Sequence, residues 1–573
     1  MPLDATENFG TALRVIDDVW SVLRANNAWD PGDEVPSRLT DIGVAAMTER
    51  AKLGRQLLDR MSAINVAALP LDLPSTLEVA RRIAERWTRE EDWYWLLFDP
   101  LGVGFYGMFA PTAYCGGFLL NSFARIFREF RFDSQGDGDR FVGLVRDYGR
   151  VVRQMFDRTK GQAERGIYMP QAQLAQAIPL MQRFRSTAEG VLVPDRSRLN
   201  AVDADNVVAN ATSAVAQDVL PAFDELIGLL KSDEYASAAP ETVGLSQYPG
   251  GAEAYRTLVR LHTTLDLSPE QVHDMGLSRI ADIKAQMRKL LDGQGFAGSP
   301  VEYLEEINGN PKWRASGAEE VGAVFQKYID RIAAHLDENF NLKPKANHGV
   351  APLPESLTQS MTFGFYSPPA GEQQVGLYLF NTPNLSNGPL NHIGALNYHE
   401  LVPGHHFHLA TQRENESLHP LRRRTFINAF NEGWAEYAAT LAGEMGMYPT
   451  AEEKFGRLMM DSFLTCRLVV DTGMNELGWS LERARDYMRE NAFMPETEIL
   501  SESVRYSCDI PGQALAYKLG DTVLLEAREK MRSALGNRFD IRDFHDAVLK
   551  PGALPLPLVK QNVDALSERL ALQ

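Results

Sequence analysis

The stretch Asn397-Tyr398-His399-Glu400-Leu401-Val402-Pro403-Gly404-His405-His406-Phe407-His408 holds four of the chain's eleven histidines, and a fifth, His392, lies just before it. That density decides the reading. A His-Glu pair followed closely by more histidines suggests a zinc hydrolase, whose usual helix places two imidazoles four residues apart on one face. Here the spacing is six. At about 100° per residue, six steps put His405 roughly 120° off the face of His399, and seven bring His406 back to it about 10 Å further along the axis. Neither suits two rings bound to one ion at about 2.0–2.1 Å. Pro403 and Gly404 remove the objection. Proline lacks an amide donor and clashes with the carbonyl four back, and glycine tolerates unusual backbone angles. Together they predict a broken helix that swings His405 towards the metal of His399. His405 is favoured over His406, which is left beside the ligands.

The third ligand is expected downstream, in Asn428-Ala429-Phe430-Asn431-Glu432-Gly433-Trp434-Ala435-Glu436-Tyr437. Glu432 and Glu436 are four apart and share a helical face. Two histidines and one glutamate leave a fourth position for water. Glu432 is the predicted ligand, and Glu436 the predicted partner of a ligand histidine. Glu400 is poorly placed to ligate beside His399 and well placed as the general base on zinc-bound water. A lone His-Glu pair, or glutamates four apart, is ordinarily a solvated helix face. The two motifs together, with apolar flanks and neighbouring histidines, point to a metal site.

Outward from this centre the chain reads as mainly α. Apolar residues recur at three- and four-residue spacing over 76–87, 140–156, 171–184, 202–230, 268–291 and 319–336. Ser268-Pro269-Glu270-Gln271 carries the marks of a capped helix start. From about 341 to 389 prolines and glycines become frequent, and Val375–Phe380 reads as a strand ending at Asn381-Thr382-Pro383. That strand is a candidate for pairing with extended substrate, as an edge strand does. A boundary near 340 separates a helical scaffold half, 1–340, from a catalytic half, 341–573. The expected fold is a multi-helix, zincin-like peptidase architecture with a small β element lining the cleft. Leu101–Leu120 carries no charge, but Pro111 and five glycines make it a buried, loop-rich segment rather than a membrane helix.

Composition narrows the partners. Of 573 residues, 44% are hydrophobic and 23% charged, which excludes a disordered or fibrous chain. A net charge of −18 repels phosphate backbones, so nucleic acid is not an expected partner. Cys115, Cys466 and Cys508 form no disulfide framework and no paired metal motif. Sparse thiols and an acidic start without a secretory pattern lead to an expected cytoplasmic setting. Arg422-Arg423-Arg424 reads as a solvated helix start, or else as a lure for acidic substrates.

The motif His399-Glu400-x-x-Pro403-Gly404-His405-His406, with Asn431-Glu432-Gly433-Trp434-Ala435, resembles the DUF885 family of zincin-like bacterial proteins. Val470-Asp471-Thr472-Gly473-Met474 with Gly478-Trp479 is similar to its next block. Arg505-Tyr506 and Pro511-Gly512-Gln513-Ala514-x-x-Tyr517-Lys518-x-Gly520 resemble its last. The resemblance implies a mostly helical metalloprotein with peptidase activity. The chain departs from the pattern at Asn475, where relatives often carry histidine, and at His408, where they commonly carry glutamine.

The expected function is a zinc-dependent hydrolase of short peptides, with one Zn2+ per chain held by His399, His405 and Glu432. Glu400 moves the proton. Tyr506, slightly preferred, or Tyr517 supplies the second oxyanion donor. Arg505 and Lys518, aided by Gln513, hold a substrate carboxylate, which favours cleavage from the C-terminal side. The alternatives are a metal-dependent small-molecule amide hydrolase or a non-hydrolytic tailoring enzyme in specialised metabolism, mildly favoured by Asn475, and a binding protein with a dead site, which the intact Glu400 argues against.

Overall fold

The computed structural model describes residues 5–28, 35–70, 72–355, 358, 363–369 and 374–572. The chain is mainly helical with one three-stranded sheet. It forms two compact units, one of residues 1–254 with 507–511, the other of 255–506 with 512–573. The division falls inside helix Gly251–Thr263 and not near residue 340. The change of texture at 340 marks the approach to the sheet instead, whose first strand begins at Asn347.

In the first unit, helices Ala5–Asn26, Val44–Ser62 and Leu73–Trp93 pack on one another. The long helix Gly136–Ala163 is flanked by Ala204–Ala214 and Leu220–Lys231, and Gln171–Leu192 packs on Leu220–Lys231. The predicted single helix over 202–230 is interrupted by a widened π turn at Val215–Val219. Pro221 follows, and its missing donor and ring clash are relieved by such a bulge. Leu101–Leu120 is loop, a π turn at Ala113–Gly117 and the start of helix Phe118–Glu129. Ser507–Pro511 completes this unit. Thr112 Oγ1 donates to the Asp509 carboxylate, Tyr114 N donates to Asp509 Oδ2 (3.2 Å), and Cys508 Sγ donates to Gln173 Oε1 (2.9 Å).

In the second unit, helix Pro269–Gly293 opens with the expected capping box of Ser268 and Gln271 and packs along helix Ala451–Asn475. Ile283, Met287, Leu291, Phe455 and Met459 share a core there with Trp313. Helix Asn428–Glu444 lies along Ala516–Leu535, and Ala318–Ala333 lies against Ile393–Glu400. Helix Asn428–Glu444 is buried almost all round, so its glutamates belong to the interior rather than to a solvated face.

The sheet has the order β1 (Asn347–Pro352), β3 (Val375–Phe380), β2 (Gly364–Ser367). β3 pairs in parallel with β1 and antiparallel with β2. The expectation that β3 offers a free edge to substrate is therefore corrected: it is the central strand, and both of its hydrogen-bonding sides are taken. Among the described residues no helix is long and apolar enough to cross a membrane.

Candidate metal centre

Helix Ile393–Glu400 stops at Glu400, and a second helix, His405–Glu414, starts afresh at His405. Leu401 and Gly404 between them leave helical geometry. Gly404 is required by close approach: a Cβ there would lie 1.9 Å from His399 O and 2.4 Å from Tyr398 O. Trp434 Nε1 donates to Pro403 O (2.8 Å), tying the break to helix Asn428–Glu444. Asn431 Oδ1 accepts from Ile427 N (3.2 Å) at the start of that helix.

These devices bring His399, His405 and Glu432 together, with one donor atom from each within 4.8 Å of the others. The two imidazole rings are 4.8 Å apart and nearly perpendicular. Glu432 Oε2 is 3.2 Å from His405 Nε2 and 3.7 Å from His399 Nε2, yet neither N–H is aligned on it as a hydrogen bond. The side chains keep 9%, 11% and 9% exposure, so the cluster is lined by protein without being sealed. Burial works against ionising Glu432, but the rings of His405 and His399 hold its carboxyl well below the usual range. Burial likewise opposes a charge on His399, yet Glu432 and Glu436 carry it up to about 10. Without a cation His399 thus holds a proton between its two carboxylates. Two imidazoles and a carboxylate sharing one focus suit zinc in donor chemistry, and the buried, unmatched Glu432 Oε2 is an acceptor awaiting a partner.

Behind the focus, His399 Nδ1 meets Glu436 Oε1 at 3.0 Å, leaving Nε2 to face Glu432. The other Glu436 oxygen accepts from Arg457 (3.2 Å) and Lys518 (3.1 Å). Lys518 also pairs with Asp461 (2.8 Å) and Asp521 (2.7 Å), and Arg279 with Asp521 (2.9 Å). Three cations here offset three carboxylates. The placement of Lys518 at substrate is therefore corrected: its ammonium is wholly buried with its acceptors supplied by the protein. Arg457, Asp461 and Asp521 escaped the sequence reading, because three separate segments supply the acids around that lysine.

His405 Nδ1 lies 3.3 Å from His408 Nε2. His406 turns to the sheet, where Nδ1 meets the Tyr366 hydroxyl (2.9 Å) and Nε2 donates to Ala346 O (3.1 Å). Burial and the neighbouring His348 push it down to about 3, so it stays neutral. Glu400 is half-buried; burial raises its carboxyl, and the charges of His399, His405 and Glu432 act on it.

Tyr517 stacks on His399, ring centroids 5.9 Å apart and 9° from parallel. Tyr506 is fully buried and donates its hydroxyl to Glu502. The slight preference for Tyr506 as oxyanion donor is corrected on that ground, because its proton is already committed. Arg505 bridges Glu502 (3.3 Å) and Gln513 Oε1 (2.5 Å), and Gln513 in turn donates to Asn428 (3.2 Å). Asn475 donates to Tyr506 O (2.8 Å) and Asp471 O (3.0 Å), so it braces backbone. Arg422 is buried and donates to Pro551 O (2.5 Å) and Ala553 O (3.2 Å), which corrects its reading as a solvated residue or a lure.

A family model described as a bacterial protein of unknown function (DUF885) matches residues 27–563. No curated protein matches the chain. A crystal structure of a candidate lipoprotein from Colwellia psychrerythraea is similar over 99% of this chain and 100% of its own, at 24% identity and a TM-score of 0.86. A candidate lipoprotein of unknown function from Shewanella oneidensis is similar over 98% and 99%, at 17% identity and a TM-score of 0.71. These likenesses establish a shared fold.

Proposed function

From the premise that this chain belongs to the DUF885 family, we propose that it is a zinc-dependent hydrolase of amide bonds in short peptides, of zincin-like peptidase architecture. The observation that carries this reading is the convergence of His399, His405 and Glu432 on one point. When bound there, zinc supplies Lewis acidity towards a carbonyl and lowers the pKa of water. Glu436 holds the tautomer and orientation of His399 through Nδ1. Glu400, its affinity for a proton raised by burial, takes a proton at its carboxylate and returns it to the departing amine. Tyr517, stacked on His399, donates its phenolic proton in a hydrogen bond to the developing oxyanion. A reducing, cytoplasmic setting stays our proposal on the free, buried thiols.

The test is a pooled short-peptide digest read by mass spectrometry, with metal analysis on the same sample. We expect one zinc per chain and new peptide termini. Glu400→Gln should keep the metal and lose about 10²–10⁴-fold in rate, and Glu432→Ala should lose the metal. An undigested pool in the presence of stoichiometric zinc overturns the peptidase reading, and full zinc in Glu432→Ala overturns the ligand set.

A further inference from the structure

One buried cation beside the site has no part in the scheme above. Arg467, on helix Ala451–Asn475, is 5% exposed. Its guanidinium lies 4.7 Å from the centroid of the Tyr517 ring, the ring that stacks on His399. It also lies over Phe463 (4.6 Å) and Tyr506 (5.6 Å). Nη2 donates to Glu502 (3.1 Å), while Nε and Nη1 meet no acceptor among the described residues. Nη1 carries two protons and Nε one, so three of its five N–H groups are unmatched in a place where water is scarce. Arg457 and Arg528, also buried, leave one nitrogen each, and Arg158 in the first unit, far from these ligands in sequence, leaves the same two as Arg467.

The surroundings do not supply the missing acceptor. Glu502 is shared, since it also accepts from Arg505 and Tyr506. Asp471 acts on Arg505 and has its oxygens engaged by Tyr255 (2.6 Å) and Gly512 N (3.0 Å). Unmatched buried donors are costly, and a charged acceptor repays them best. Lys518, by contrast, has its ammonium met by three carboxylates.

We propose that Arg467 is the anion-recognising residue of this site, and that the substrate bears a free carboxylate within about three residues of the bond that is cut. This rests on the hydrolase reading above and deepens it by naming a substrate class: peptides with an open C-terminus. The Tyr517 ring separates Arg467 from His399, which puts the two no more than about 11 Å apart, a span that up to about three residues of extended chain cover at roughly 3.3–3.6 Å each. Arg505, held by Glu502 and Gln513, orients the Glu502 carboxylate that Arg467 also uses.

The experiment is affinity selection on the full-length zinc-loaded protein carrying Glu400→Gln, so that ligands survive. The probe is an equimolar pool of N-acetylated dipeptides, half free acids and half carboxamides, with the retained fraction read by mass spectrometry. We expect acids to be retained about tenfold or more over amides. Adding Arg467→Gln should bring the ratio near one, and Arg467→Lys should keep part of it. Equal retention by the Glu400→Gln parent overturns the proposal even if Arg467→Gln fails to fold, and so does a ratio unchanged in a folded Arg467→Gln. Acid retention together with a peptide pool left uncut by the unsubstituted protein removes the hydrolase reading and leaves the anion site. Cutting without acid preference does the reverse.

Discussion

A Cβ on Gly433 would stand 2.5 Å from the Cα of Gly520, and one on Gly520 would stand 2.2 Å from Ala429 O. Helices Asn428–Glu444 and Ala516–Leu535 therefore touch backbone to backbone one residue past Glu432. Gly433→Ala should force them apart and lower stability by about 1–3 kcal/mol, as overpacking does. Thermal melting checks this, and an unchanged midpoint would show that the approach is not needed.

Gly404 is under the same constraint at the helix break. Gly404→Ala should push His405 away from His399. We expect metal affinity to fall by about 10–100-fold, the range seen when ligand orientation is disturbed. Titration against a chelator of known strength measures it, and affinity equal to that of the parent would count against the break as the device that sets ligand spacing.

Glu498 is buried with one carboxylate oxygen unmatched, and burial, with Glu502 nearby, pushes its carboxyl from 4.5 up to about 8. Between those values the folded chain holds a proton that the unfolded chain has released. Stability from this group is therefore full below 4.5 and falls as pH rises to about 8, at up to about 1.4 kcal/mol per pH unit. Glu498→Gln should flatten that slope in urea melts run across the window. A slope unchanged by the substitution would mean the carboxyl is already ionised when folded.

Lys518→Met separates structure from substrate binding. Removing the ammonium leaves Glu436, Asp461 and Asp521 short of one cation, and breaking a buried pair in this way costs about 3–5 kcal/mol. A substrate-binding lysine would instead raise KM and leave unfolding unchanged. Denaturant unfolding beside steady-state kinetics decides between them.

What was legible in the sequence follows how local each instruction is. Pro403 and Gly404 break the helix wherever they stand, so the meeting of His399 and His405 could be read from their spacing. The Ser268–Gln271 cap is equally local. Which of two adjacent histidines turns inward depends on the sheet. Gly376 leaves room there for His406 Nδ1 and the Tyr366 hydroxyl, either of which a side chain at that position would strike. Lys518 and Tyr506 were misread because their partners lie elsewhere along the chain or a helical turn away: Asp461 and Glu436 for one, Glu502 for the other. Arg467 gave no signal, since its meaning lies in the rings and the unmatched nitrogens that only folding assembles. The division at 254 was illegible because helix Gly251–Thr263 runs through it without a breaker.

The five residues Ser507–Pro511 give the first unit a late-arriving piece. Translation must reach Pro511 before Thr112 and Tyr114 meet the carboxylate of Asp509 and Gln173 meets Cys508. A fragment ending at Ala254 would therefore lack the five residues that answer Thr112, Tyr114 and Gln173, and would emerge with a seam in its own interior.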